Sequence, residues 1–345
     1  MTEPIDSAAR PPKRATLRTI SEMTGLSLST VSLSLRGGAS LKEETRRKVA
    51  DAAERLGYVP DRAGVRLRTG KTNVLALVLD GENDSIDFSR HLIQGIGQAI
   101  KGTRYHMTVM PEFERTHAVD SIEYILNNRA ADGIIITHTS ARDPRVQLMT
   151  EHNFPFVTHG RTEFYTPHAF HDFHSEAFAR IAVERLVAKG CRNLLLVIGG
   201  QTTNNYHTIV KAFEGATARL GLGARVVGYR TSRSATSQEM REFGRDLAAD
   251  PQRPDGIICD SELRSICMLM GLADGNLVPG RDFHFISKQT SDLLSTLYPA
   301  LDTIAEDIVA AGSELARLLM RRIDGEPPES LQTLSEPLTR WRDDT

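Results

Sequence analysis

The sequence predicts an all-α helix-turn-helix head and a short hinge, followed by an α/β body of two doubly wound parallel-sheet subdomains. Three observations carry that prediction. Residues 15–58 hold three short amphipathic helical patterns, with a glycine between the first two. From residue 73 onward, short apolar runs alternate with helical patterns, as they do when parallel strands are joined by crossover helices. Charge is also split along the chain. The first 72 residues hold 14 Lys and Arg against 8 Asp and Glu, a net of +6; the 345-residue chain is −2, so the other 273 residues carry −8. A basic end on an acidic body favours a polyanionic partner at that end alone.

In the head, helices are predicted over 16–24, 27–35 and 42–56, with Gly25 supplying the backbone freedom of a tight turn. Leu17, Ile20, Met23, Leu26, Val31, Leu35, Val49, Ala52, Ala53 and Leu56 recur at spacings that give each helix one inward face. Ser27, Ser29, Thr30 and Ser32 gather at the start and along the outer face of the second helix. Such short hydroxyls suit phosphate oxygens and base edges. A Ser/Thr-capped structural subdomain is the plainer reading, and the charge split weighs against it. Residues 1–14 read as a disordered lead-in.

In the body, strands are predicted over 74–79, 106–110, 133–137, 156–159, 193–198, 225–229, 256–259 and 283–286. Helices are predicted over 89–101, 118–127, 144–152, 175–189, 206–220, 237–249, 263–274 and 306–323. The unbroken apolar runs at 134–136 and 194–198 suit strands buried on both faces. Ligands of open parallel sheets sit beyond the carboxyl ends of the strands. That rule selects Asp87 and Phe88 after the first strand and Arg161 after 156–159. In the second half it selects Tyr206, His207, Asp260, Glu262, Lys288 and Gln289. Carboxylate, guanidinium and amide groups beside an aromatic ring suit sugar hydroxyls, and Arg suits bidentate contacts. The plain alternative for each is a solvated loop residue.

Other classes find little support. No run of eighteen apolar residues is present, so no membrane span is expected. The opening MTEPIDSAARPPKRAT has no apolar stretch, so secretion is not expected and a cytoplasmic, nucleoid-associated location is. A transport-linked sugar-binding protein would share the body but would need a secretion signal and no basic head. Cys191, Cys259 and Cys267 lack metal-site spacing and are expected to be reduced thiols. The segment Gly199-Gly200-Gln201-Thr202 lacks the spacing of a phosphate-cradling loop. His117, His138, His168, His171 and His174 match no strong metal motif. No catalytic residue, cofactor or metal is therefore expected.

Four motifs, Thr16-Leu17-x-x-Ile20, Gly25-Leu26-Ser27-x-Ser29-Thr30-Val31-Ser32, Thr45-Arg46 and Leu56-Gly57-Tyr58-x-Pro60, together resemble the lactose-repressor (LacI/GalR) family of bacterial transcriptional regulators. The likeness runs from about residue 15 to Trp341. It implies a DNA-binding head over 15–60, a hinge over 61–72 and a body like that of periplasmic sugar-binding proteins. The N-subdomain would span 73–171 with a return segment at about 303–328. The C-subdomain would span 172–302 with a C-terminal segment at about 329–341. The resemblance further implies a homodimeric repressor of carbohydrate-utilisation genes on a near-palindromic double-stranded operator, controlled by a sugar-like effector in the cleft. A corepressor that is a sugar acid, sugar phosphate or nucleobase is the alternative. No leucine heptad tail follows Trp341, so no tetramerising coiled coil is expected.

The DNA contacts that the resemblance implies are Leu17, Ser27, Leu28, Ser29, Thr30, Ser32, Leu33, Arg36, Thr45 and Tyr58 in the head, with Arg62, Arg66 and Leu67 in the hinge. Leu28, Ser29 and Leu33 stand at the base-reading positions, and Leu33 is also suited to the core. Leu67 falls where a leucine wedges into the minor groove, in a hinge that folds when two meet on the operator. Gly64 departs from the usual Ala there. In the body, Ile209-Val210-Lys211-Ala212-Phe213 replaces Arg-x-x-Gly-Phe, so the position of a sugar-clamping Arg is apolar. Lys288-Gln289 replaces a pair of acids, and His159-Gly160-Arg161 stands where Asp-Arg is common. A cationic Lys288 is expected to favour an acidic or phosphorylated ligand.

Overall fold

A computed structural model describes residues 15–37, 40–58, 64, 66, 69–80, 86–112, 119–199, 201–228 and 236–342. The chain divides into two compact units, Met1–Thr72 and Asn73–Thr345.

The first unit contains α1 (Leu17–Thr24), α2 (Leu28–Ser34) and α3 (Glu43–Arg55). Thr16 caps α1 in a reciprocal box with Thr19, and Gly25 ends it at φ 71°, a left-handed conformation that glycine adopts without a Cβ penalty. Two residues later Ser27 starts α2, its hydroxyl accepting the Thr30 N–H at 3.2 Å. Ile20, Val31, Val49 and Ala52 form the core, flanked by Leu17, Leu26, Leu35, Ala53, Leu56 and Tyr58. Met23, expected to face inward, is 48 % exposed. Of the hinge, Gly64, Arg66 and Thr69 are helical, and the Gly70 N–H donates to the Arg66 carbonyl at 2.8 Å. Arg62 and Leu67 lie outside the described residues.

The second unit begins with β1 (Val74–Asp80), α4 (Ile86–Ile100), β2 (His106–Glu112), α5 (Asp120–Asn128), β3 (Gly133–Ile136), α6 (Pro144–Glu151), β4 (Phe156–His159) and β5 (Phe170–Phe173). A second series follows: α7 (Ser175–Ala188), β6 (Asn193–Val197), α8 (Asn204–Arg219), β7 (Gly223–Val227), α9 (Ser237–Ala249), β8 (Gly256–Cys259), α10 (Glu262–Asp274), β9 (His284–Gln289) and α11 (Leu293–Leu297). The chain ends with β10 (Asp302–Ala305), α12 (Ile308–Ile323), β11 (Gln332–Ser335) and β12 (Leu338–Arg340). Two six-stranded sheets result, ordered β11-β5-β4-β3-β1-β2 and β12-β10-β9-β8-β6-β7. All pairs are parallel except β10 with β12. Pro111, which cannot donate a ladder hydrogen bond, sits on β2 at an edge.

Alternating residues explain why both faces of each sheet carry helices. Leu75, Leu77 and Leu79 of β1 pack with Leu92 and Ile96 of α4 and Leu315 and Leu319 of α12. Ala76 and Val78 face the other way, against Ile122 and Ile125 of α5 and Val146 and Met149 of α6. In the second sheet Leu194 and Leu196 meet α7 and α8, and Leu195 and Val197 meet α9 and α10. The period of two produces two cores per sheet.

The return segment differs from expectation. Residues 302–305, whose last three were assigned to the N-subdomain, form β10 in the second sheet; residues 332–335, assigned to the C-subdomain, form β11 in the first. The crossover therefore falls between β10 and α12, and a further crossover separates β11 from β12. Pairing decides both placements: Asp302 at 4 % exposure is bound by Arg185 of α7, and Gln332–Ser335 complete the edge beside β5.

Candidate functional site

The carboxyl ends of both sheets converge on a cavity of about 180 Å³. From the first subdomain Phe88 on α4, His138 and Thr139 past β3, His159 to Arg161 at the end of β4, and Asp172 on β5 line it. The second contributes Ser175, Thr203 to Asn205, Thr208, Asp260 to Glu262, Arg264, Lys288 and Thr290, and Glu306 follows β10. Each group stands where a strand hands over to its helix, as doubly wound sheets dictate.

Charged side chains in the lining hold one another. The Arg161 Nε donates to Asp172 Oδ2 at 2.7 Å, and the Arg264 Nη1 donates to Asp260 Oδ1 at 2.9 Å. Lys288 Nζ lies 2.5 Å from Glu306 Oε2 and 4.3 Å above the centre of the Phe173 ring. Glu306 Oε1 meets His159 Nε2 at 3.0 Å. Burial alone would push the Glu306 carboxyl up, but Lys288 and His159 outweigh it and hold the group well below the usual carboxylate range. At Asp172 burial wins over Arg161, and its carboxyl is raised.

Asn204 adds two further hydrogen bonds across the cleft. The Asn204 N–H donates to the Thr139 carbonyl at 3.0 Å, and the Asn204 amide Nδ2 donates to the Arg161 carbonyl at 3.2 Å. The Thr139 lip rests on Arg145, which is 3 % exposed. Arg145 donates to Glu112, to both Asp143 carboxylate oxygens, and to the Thr137 and His138 carbonyls. His138 itself has φ 53°, an unfavourable conformation for a residue with a Cβ, held by that support.

Of the residues selected from sequence, Phe88, Arg161, Asp260, Glu262 and Lys288 line the cavity. The side chain of Asp87 lies outside the described residues. Tyr206 and His207 do not line the cavity. The helix begins two residues before its predicted start, because Thr203 caps it by accepting the Tyr206 N–H at 3.2 Å. Asn204, Asn205 and Thr208 consequently face the cleft, Tyr206 turns onto the core and His207 is exposed. Gln289 is also displaced: it alternates with Lys288 on β9, is 1 % exposed, and binds the Ser291 carbonyl and the Ser295 and Thr303 hydroxyls. Ile209, at the apolar clamp position, is fully buried in the core. Lys288 is not an open cation, because Glu306 neutralises it. Glu306, Asn204, Asn205 and Arg264 were missed. The Thr203 cap was the available signal for the asparagines; nothing in the local pattern singles out Glu306.

The histidine stretch is absorbed by protein hydrogen bonds. His168 meets Thr162 and the Ala169 carbonyl, His171 meets Thr333, and His174 meets Glu336. His117 lies outside the described residues.

In the head, Leu28 and Ser29 are exposed, and Thr30, Ser32 and Leu33 are half-buried. A helix turns about 100° per residue, so Ser29 and Leu33 lie opposite the buried Val31 and Ser34. Arg36 is exposed, with its Nε on the Ser32 carbonyl at 2.7 Å. Thr45 is half-buried at the start of α3, and Leu17 and Tyr58 pack partly against the core.

The chain matches the family model described as bacterial regulatory proteins, lacI family, over residues 16–61. It matches the periplasmic binding protein-like domain over residues 183–343. The HTH-type transcriptional regulator RafR of Escherichia coli is 28% identical over 334 residues, covering 93% of this chain and 96% of RafR. The lac repressor dimer bound to operator and the anti-inducer ONPF has the same fold at TM-score 0.82 and 17% identity, covering 96% of this chain and 98% of that one. A transcriptional regulator CelR–cellobiose complex aligns at TM-score 0.69 and 21% identity, covering 96% and 100%. The chain thus joins a head that matches the lacI family of bacterial regulatory proteins to a body that matches the periplasmic binding protein-like domain.

Proposed function

We propose that this chain is a homodimeric, cytoplasmic and non-catalytic transcriptional repressor of carbohydrate-utilisation genes, whose operator affinity is set by a sugar-like effector in the cleft. The observation that carries the proposal is the outer face of α2. There Ser29, Ser32 and Leu33 stand away from a packed core, at the end of the chain that carries the net positive charge. Hydroxyls on that face suit phosphates and base edges, and Leu28 and Leu33 suit thymine methyl groups. Ser27, Thr30, Arg36, Thr45, Leu17 and Tyr58 supply backbone contacts around them. Arg62, Arg66 and Leu67 extend the grip into the minor groove.

The effector reading rests on the cleft, where polar side chains outnumber the two phenylalanine rings, Phe88 and Phe173. The relative crystallised with cellobiose supports a saccharide as the class. The partner for dimerisation is a second copy of this chain, on the face formed by α10 and α11. Leu263, Met270, Leu293 and Leu297 are each 40–53 % exposed there, one helical turn or two apart. Closing the cleft moves the two subdomains together and alters how the hinges, which run directly into β1, meet on the operator.

The test is operator binding by the full-length chain. Fragments of its own genome are titrated at several salt concentrations, and the expected result is specific binding whose logarithm falls linearly with the logarithm of salt. Absence of salt-sensitive attachment to every fragment overturns the reading. Addition of a saccharide that raises the melting temperature is expected to change operator affinity, by about 1–3 kcal/mol, and operator is expected to change saccharide affinity equally.

A further inference from the structure

Glu262 is the lining carboxylate that the protein leaves half-used. It occupies the first turn of α10 and is 8 % exposed. Its Oε2 accepts the Thr290 N–H and the Thr290 hydroxyl, each at 3.0 Å. Its Oε1 is buried with no hydrogen-bond partner among the described residues. A buried carboxylate oxygen without a donor is costly, and a donor supplied from the cavity removes that cost.

The surrounding charges narrow what can supply it. Arg161, Arg264 and Lys288 are the lysine and arginine side chains in the lining, and each is closed by an acid: Asp172, Asp260 and Glu306. Four carboxylates thus stand against three cations, and Glu262 is the unmatched one. An incoming carboxylate or phosphate finds each of these cations engaged and an unmatched carboxylate in the lining. Gly199 reinforces the closure of Arg264. A Cβ there would stand 2.3 Å from the Arg264 Nη2, so the glycine lets the guanidinium lie against the backbone while the Gly199 N–H binds Asp260 at 3.2 Å.

We propose that Glu262 sets the chemical class of the effector: its Oε1 accepts a hydrogen bond from a ligand hydroxyl or ammonium, and the cleft rejects carboxylate- and phosphate-bearing molecules. The proposal rests on the ligand-cleft reading above and reverses the anion preference expected from Lys288 alone.

The experiment is calorimetric titration of the full-length chain with a matched series: cellobiose, glucose, glucosamine, glucuronate and glucose 6-phosphate. The expected result is binding of a neutral or amino member, with the acid and the phosphate at least tenfold weaker. Glucosamine against glucose distinguishes ammonium from hydroxyl as the donor. Glu262→Gln offers an amide donor where an acceptor stood. Its expected effect is at least a tenfold loss for the bound neutral or amino probe and a gain for glucuronate, with the fold intact by circular dichroism. Glu262→Asp keeps the charge and is expected to keep the discrimination against glucuronate at reduced affinity. Glucuronate or glucose 6-phosphate binding the wild type as tightly as its neutral counterpart overturns the proposal, as does full affinity in Glu262→Gln. Either outcome with intact salt-sensitive operator binding removes the role of Glu262 alone; loss of operator binding in the wild type removes the regulator reading instead.

Discussion

Glu306 ties together a lysine of the second subdomain and a histidine of the first while it is itself fully buried. Its carboxyl is depressed in the folded chain, so the stability it contributes is complete above its ordinary value of 4.5 and is lost as pH falls below that. Lys288→Met strands the carboxylate without its main cation. The expected cost at pH 7 is about 3–5 kcal/mol, seen as a lowered denaturant midpoint. Burial then raises the Glu306 carboxyl, so the gap to wild type narrows on acidification toward pH 5. A gap that stays constant from pH 7 to 5 contradicts the assignment. His171 works in the same direction, although its folded form is neutral rather than charged. Burial, with His159 nearby, pushes it down to about 4, so the unfolded chain takes up a proton below about 6.5 that the folded chain refuses. Stability is therefore lost between pH 6.5 and 4, by at most about 3 kcal/mol, and His171→Leu is expected to flatten that slope in thermal melts. At this scale the sequence was half legible. Residues directly beyond a strand, such as Arg161 and Asp260, were readable from position alone. Glu306 was not, because its role comes from partners 18 and 147 positions away in the chain.

Elements were more legible than side chains, since apolar period fixes them locally. The runs of β1, β3, β6 and β8 stand as predicted to within two residues. β10, β11 and β12 were missed because Asp302-Thr303, Gln332-Thr333 and Leu338-Thr339-Arg340 carry no apolar run, and pairing with a neighbour makes them strands. Helix crossings were equally hidden. A Cβ on Gly95 of α4 would stand 2.0 Å from the Val309 carbonyl oxygen, and one on Gly312 of α12 would stand 2.4 Å from the Leu92 carbonyl oxygen. Backbone cannot yield as a side-chain tip can. Gly95→Ala is expected to destabilise the body by about 1–3 kcal/mol or more, with a matching fall in melting temperature. In α2, Leu33→Ala is expected to change operator affinity or preference while leaving the melting temperature within about a degree, since Val31 rather than Leu33 fills the core. A large fall in melting temperature with unchanged operator preference would return Leu33 to the core.

At the scale of the whole molecule, the contrast between a basic head and an acidic body confines attraction for a polyanion to one end. In the proposed dimer, pairing two heads depends on the body. Met270→Asp or Leu297→Asp is expected to yield monomers in sedimentation and to weaken operator binding by more than tenfold, because one head then acts without its twin. Dimers of unchanged affinity would move the self-association surface elsewhere. The path of the chain bears on how the two subdomains can move. It passes between them three times, after β5, after β10 and after β11, each time within three residues of a strand. A single protease nick at one passage leaves the halves tethered by two others. Rotation about any one passage must bend the remaining pair in step, so the halves can swing only along a narrow arc.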